Sequence, residues 1–170
     1  MSSGANLAAV PAELPGAYLY ELVVHCGRWG VAPAALLEGT GLTMAALEDP
    51  TTRLPLATCA ALVERAHVLT SQPALAFSMG MQMRLSWHGF LGFAAMAAST
   101  VRAALALAEQ FSLTRTSAFS LATHVEGTVA SLVLEERLPP GPLREFAVIT
   151  LLVGIARIAN DVTGESLTGV

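Results

Sequence analysis

One stretch constrains this chain more than any other: His88-Gly89-Phe90-Leu91-Gly92-Phe93-Ala94-Ala95-Met96-Ala97-Ala98-Ser99-Thr100-Val101-Arg102-Ala103-Ala104-Leu105. Two glycines permit close backbone approach, and Ser99 or Thr100 can cap a helix through Val101, Leu105 and Leu107-Ala108. Ser99 has no Gly-x-Ser-x-Gly context, so a capping role is expected rather than a nucleophilic one. A segment this apolar needs cover on several sides, which places it as a buried hub at the centre of the domain. It carries no obvious catalytic group, and this tilts the expectation toward binding rather than chemistry.

Helical spacing dominates before that stretch. Leu19, Leu22, Val23 and Cys26 define a helix over 16–28, closed by Trp29-Gly30. Pro33 to Leu37 forms a short second helix, and Thr43 caps a third that turns Ala46-Leu47 inward. Leu56, Cys59, Leu62, Val63, Ala66 and Leu69 make the inner stripe of a fourth. Ser71 is expected to cap a short helix through Phe77, and 81–85 is ambiguous between strand and loop. Residues 1–15 are small and Pro-containing, and are expected to be a flexible N-terminus.

After the central stretch, 113–123 and 128–135 read as a strand pair joined at Val125-Glu126-Gly127, with Ala130, Leu132 and Leu134 on one face. Pro139-Pro140-Gly141-Pro142 breaks the chain, and 143–161 then reads as a long helix, apolar almost all round. Such a helix is expected to be buried, or to meet a second subunit with its outer side. The predicted class is α+β: a mainly helical N-terminal half packed on a small antiparallel sheet, with a long apolar C-terminal helix.

Composition excludes several functions. Apolar residues make up 54% and charged residues 13%, so the chain has a large core, an internal pocket or a covered surface. The nine basic residues are all arginine, scattered singly from Arg28 to Arg157, so no phosphate-binding patch forms. The longest apolar run, Phe146 to Ala156, is stopped by Glu145 and Arg157, well short of the roughly 18 residues that suggest a membrane span. Cys26 and Cys59 have no local spacing and read as reduced, cytoplasmic thiols. His25, His67, His88 and His124 form no i, i+4 pair, so no metal site is expected, nor any cofactor. His25 beside Cys26 is not preorganised as a thiolate pair, because adjacent helical residues diverge. Gly89-x-x-Gly92 lacks the rest of a dinucleotide fingerprint, and close helix packing explains it.

Methionines and aromatic rings gather around the centre. Met81, Met83, Trp87, His88, Phe90, Phe93 and Met96 either fill the core or line an adaptable apolar pocket, with Arg84 or Arg102 at its rim to meet a ligand carboxylate.

Taken together, these segments resemble the N-terminal domain of one branch of the AraC/XylS family of transcriptional regulators, the branch often labelled arabinose-binding-like. The matching pieces are Leu47-Glu48-Asp49-Pro50-Thr51-Thr52-Arg53-Leu54-Pro55-Leu56, the stretch from Leu69-Thr70-Ser71 to Phe77, the central 88–105 run, and Ala156-Arg157 leading to Val162-Thr163-Gly164. The resemblance spans about residues 15 to 168. It implies an effector-binding and dimerising module, here residues 16–168, preceding a C-terminal helix-turn-helix domain that makes the DNA contacts and is absent from this chain. It implies a small-molecule effector, a homodimer, no membrane and no enzymatic activity. Many relatives carry an Arg-Tyr or similar pair where this chain has Gln110-Phe111. The chain is poor in Asn, Asp, Lys and Tyr, so the expected effector is largely apolar, such as a fatty or aromatic acid, rather than a sugar. A ligand-free dimerisation module and a small enzyme with an apolar pocket are the competing expectations.

Overall fold

A computed structural model describes residues 12–127 and 129–163. Two short strands, β1 (Glu13–Pro15) and β2 (Arg53–Pro55), pair antiparallel with Leu14 opposite Leu54. Each ends in a proline that is followed at once by a helix, α1 (Gly16–Cys26) after β1 and α4 (Leu56–Thr70) after β2. Proline lacks the N–H that a first helical turn leaves unpaired, so the transition from strand to helix costs little there. The small sheet thus clamps the starts of α1 and α4 side by side. Gly16 tightens the clamp, since its N–H donates to the Thr52 carbonyl at 2.9 Å and an added Cβ would lie 2.9 Å from the Leu47 carbonyl oxygen.

Between these helices lie α2 (Pro33–Leu37) and α3 (Met44–Glu48), the latter capped by Thr43, whose side chain accepts from the Ala46 N–H. The dense core is here. Leu22, Leu36, Leu47, Leu62 and Leu75 are fully buried, together with Val23, Cys26 and Cys59. A fifth helix, α5 (Leu75–Gly80), begins without a side-chain cap; Ser71 instead ends α4 in the left-handed conformation at φ 51°. Residues 81–84 form a turn into a 3-10 segment (Leu85–His88), so no strand forms there.

The central stretch divides into α6 (Phe90–Met96) and α7 (Val101–Phe111), and Thr100 rather than Ser99 caps the second by accepting from the Ala103 N–H. The expectation of a buried hub is overturned. Phe90 is 91% exposed and Phe93 57%, and within 88–105 only Gly92 is buried. The segment is a wall with an outer apolar face, and the centre of gravity of the core lies in α1 to α5.

Strands β3 (Phe119–Glu126) and β4 (Val129–Glu136) form an antiparallel hairpin that turns at Gly127, φ 58°. Val125 and Glu126, expected in the connection, are paired within β3, whereas residues 113–118, expected as strand, form the end of a 3-10 turn (Ser112–Thr114) and an irregular segment before Phe119. The hairpin rests on α7 rather than directly on the N-terminal helices. Helix α8 (Arg144–Thr163) follows a 3-10 turn at Gly141–Leu143. Of the two expectations for it, full burial is excluded: Leu152 is half exposed, while the opposite side faces a cavity. Its close neighbour is α5, where Gly80 leaves room for Val153 and the Thr150 hydroxyl donates to the Ala76 carbonyl at 3.1 Å.

Of the start expected to be flexible, residues 13–15 are held in β1, and residues 1–11 lie outside the described residues, as do 164–170. Among the described residues no helix is long and apolar enough to cross a membrane.

An added Cβ at Gly80 would lie 2.8 Å from the Val153 Cβ and 2.9 Å from the Thr150 carbonyl oxygen. Gly80→Ala should therefore push α5 from α8 and cost about 1–3 kcal/mol. Urea unfolding measures this, and an unchanged midpoint would contradict the tight α5–α8 contact.

Candidate functional site

A cavity of about 610 Å³ separates the helical core from the hairpin. One side is built by Leu19 and Leu22 of α1 with Val63 of α4. The facing side is built by Leu121 of β3 with Leu132 and Leu134 of β4. Leu91, Ala95 and Met96 of α6, Ala104 and Leu105 of α7, and Phe146, Leu151 and Ile155 of α8 close the remaining walls. Period-two alternation explains the hairpin's part, since Leu132 and Leu134 face in while Val129 and Val133 face solvent. Close approach explains the α6 wall: an added Cβ at Gly92 would collide with the Leu85 carbonyl, so only glycine lets α6 lie on the 3-10 segment.

Most polar groups in this lining are already partnered within the protein. Ser112 Oγ donates to the Glu109 carbonyl and accepts from the Leu121 N–H, and Thr116 Oγ1 accepts from the Ala118 N–H. The Cys59 thiol reaches the Leu54 carbonyl at 3.7 Å, and burial pushes its pKa up to about 12. Cys26 is pushed up to about 11 for the same reason, so both remain neutral thiols at physiological pH.

The side chains of Tyr18, His88 and Arg115 are bonded to one another and still leave donors unused. They come from α1, from the 3-10 segment before α6, and from the turn after α7, and all three line the cavity. Arg115 Nε donates to the Tyr18 oxygen at 3.3 Å, and its guanidinium carbon lies 5.3 Å from the Tyr18 ring centre. The Tyr18 hydroxyl lies 2.9 Å from His88 Nδ1, and the two rings meet edge to face. Burial, followed by the charge of Arg115, lowers the His88 pKa to about 4, so the imidazole is neutral near pH 7. Burial raises the Tyr18 pKa, and the phenol keeps its proton. Since the phenol is protonated and already accepts from Arg115, we assign its proton to His88 Nδ1, which places the imidazole proton on Nε2. Among the described residues nothing accepts from that Nε2, and the three ion pairs use Arg65, Arg137 and Arg144 rather than Arg115.

Met83, Trp87, His88 and Met96, singled out from the sequence, lie in the cavity lining. Met81 lies in a separate surface pocket with His25 and Phe77, and Phe90 and Phe93 turn outward. Arg84 and Arg102 are exposed and stand apart from the cavity, as do Gln110 and Phe111. The arginine of the lining is Arg115, which sequence reasoning did not single out. Its signals were faint: a lone arginine among Thr114 and Thr116 ahead of a strand, and one of only two tyrosines in the chain on the apolar stripe of α1. Separations of 70 residues between Tyr18 and His88, and 97 between Tyr18 and Arg115, hid the cluster.

A histidine–serine pair lies elsewhere. His25 Nε2 is 2.8 Å from Ser78 Oγ, and that hydroxyl also donates to the Leu75 carbonyl at 3.1 Å. The hydroxyl proton is thus turned from the imidazole, and the pair ties α1 to α5 instead of activating a nucleophile. No group of three or more His, Cys, Asp or Glu among the described residues is placed to hold a metal ion.

Comparisons with known proteins agree on one relationship. Residues 30–169 match the family described as the arabinose-binding domain of AraC transcription regulator, N-terminal. Over 160 residues, 94% of this chain, the sequence is 29% identical to the ornithine utilization regulator of Pseudomonas aeruginosa. The chain spans about half of that curated relative, 47% of its length.

The neutral His88 gives a pH prediction. Its pKa in the folded protein, about 4, is below the ordinary 6.5, so the unfolded chain binds the extra proton between these values. The contribution of the neutral imidazole is present above pH 6.5 and is lost as pH falls toward 4. Wild type should lose more stability than His88→Gln between pH 7 and pH 4.5, by at most about 3 kcal/mol because His88 is only partly buried. Parallel urea titrations of the two proteins would refute the burial of His88 if their pH slopes coincide.

Proposed function

Because this chain belongs to the family of N-terminal arabinose-binding domains of AraC transcription regulators, we propose that it is the ligand-responsive part of such a regulator and that its effector is small and largely apolar. The observation that carries this reading is the cavity. Its volume of about 610 Å³ lies within the range of about 300–1,000 Å³ usual for small-molecule sites, and its walls are mainly Leu, Ile, Val, Met, Ala and Phe. A sugar would demand many free hydrogen-bonding side chains, and most of those present are already paired with the protein. The relative is named for ornithine utilization, but the lining contains no Asp or Glu to meet the ammonium groups of an amino acid of that kind.

Sensing in this reading means that effector binding biases how two subunits are arranged. DNA contacts are assigned to a C-terminal helix-turn-helix part of the regulator, in keeping with the coverage of about half the relative. The outer face of α8 around Leu152 and the solvent side of the hairpin at Val129 and Val133 are the proposed subunit contacts. A receptor also fits the chemistry of the walls, where the Cys59 thiol stays protonated and His88 Nδ1 is engaged by Tyr18.

Thermal-shift measurements with fatty acids, aromatic acids, arabinose and ornithine, with native mass spectra for bound mass and subunit number, test the proposal. A fitting apolar ligand at about 100 times its Kd adds about 2.7 kcal/mol, a rise of several degrees in Tm. Ala104→Trp, which fills the cavity from α7, should abolish that rise. A response to arabinose or ornithine alone, or one that survives Ala104→Trp, would overturn the reading.

A further inference from the structure

We propose that Arg115, held by Tyr18 beside His88, is the subsite for the carboxylate of an amphipathic monoacid whose hydrocarbon part fills the apolar cavity. This rests on the cavity being the effector site and adds the chemical class of its ligand. A guanidinium at the wall of an apolar space loses hydration, and a protein ordinarily offsets that with a carboxylate. Arg115 has no such partner among the described residues. Its Nε is committed to the Tyr18 hydroxyl, while its terminal nitrogens make no hydrogen bond among the described residues, leaving the planar fork available for two parallel donors to a carboxylate. His88 Nε2–H is a further unused donor in the same cluster.

The surroundings favour an anion. Arg53 of β2 donates to the carbonyl of Thr114, the residue before Arg115, at 3.3 Å, so a second positive charge stands near the same end of the cavity. Gly89 makes space for the guanidinium, since an added Cβ there would lie 3.2 Å from an Arg115 Nη. The lining contains no Asp or Glu to compete for Arg115. The rest of the cavity walls are mainly hydrocarbon, and most hydroxyls among them are paired within the protein, so one end of a ligand is specified as charged and the remainder as apolar. Neutral apolar molecules would leave the guanidinium without a counter-charge, and dicarboxylates would bury a second charge among leucines. A single acid group on an aliphatic or arylalkyl body satisfies both ends.

Trp87 lines the cavity and reports binding by its fluorescence. The test titrates this chain with decanoate and 4-phenylbutyrate, each beside its neutral alcohol, below micelle-forming concentrations. Wild type should bind the better-fitting acid roughly 10- to 100-fold more tightly than the matching alcohol. Arg115→Gln should remove that preference and leave alcohol binding within about twofold, Arg115→Lys should retain part of it, and Arg102→Gln should leave it intact. Alcohols that bind wild type as tightly as the acids would overturn the carboxylate subsite while leaving the apolar effector site standing. Failure of all four probes to bind would overturn both. The wild-type comparison decides even where Arg115→Gln does not fold.

Discussion

Dense packing of α1 against α4 is the condition on which the rest of the molecule depends. An open space of about 610 Å³ forfeits dispersion contacts along its whole lining. A domain can tolerate this only where another part of it is close-packed. Here that part is the layer of α1 to α5, where five leucines have essentially no exposed surface. The β1–β2 clamp sets the start of both main helices, so the cavity wall they form is rigid on that side. The other walls belong to α6, α7, the hairpin and α8, where few residues are fully buried. Stability and the capacity to hold a guest are therefore divided between two parts of one domain.

Glycine-mediated contacts join the two parts. Gly92 lays α6 on the 3-10 segment that carries His88, and Gly154 of α8 lies against Met83. Both contacts leave no space for a Cβ, and both flank the stretch between α5 and α6. That stretch also supplies Trp87 and His88 to the cavity. The polar cluster is consequently held by backbone packing on one side and by the Tyr18 and Arg115 hydrogen bonds on the other. A group entering near Arg115 would touch α1, the 3-10 segment and the end of α7 together. Such a place is suited to turn occupancy into a change in how those elements sit.

Much of the helical architecture was legible because it rests on local rules. Thr43 as a cap, the stripe of Cys59, Leu62, Val63 and Ala66, and the alternation of Leu132 with Leu134 all follow from neighbours within a few residues. The Glu13-Leu14-Pro15 and Arg53-Leu54-Pro55 pair went unrecognised, although the shared Leu-Pro followed by a helix was a visible signal. The error over residues 88–105 has a different cause. In a chain that is 54% apolar, hydrophobicity no longer distinguishes inside from outside. Phe90 and Phe93 therefore looked like core residues and stand on the surface.

The sequence alone determined most of the helices, the presence of the late hairpin and the kinship with AraC-type regulators, since each is written in spacings of two to four residues or in contiguous motifs. Only the tertiary structure decided that the apolar excess encloses a cavity, and that Arg115 rather than Arg84 or Arg102 faces it. The physical reason is that a cavity is a property of surfaces that fail to meet. Its walls come from residues as far apart as Leu14 and Ala159, and no local pattern records the space left between them.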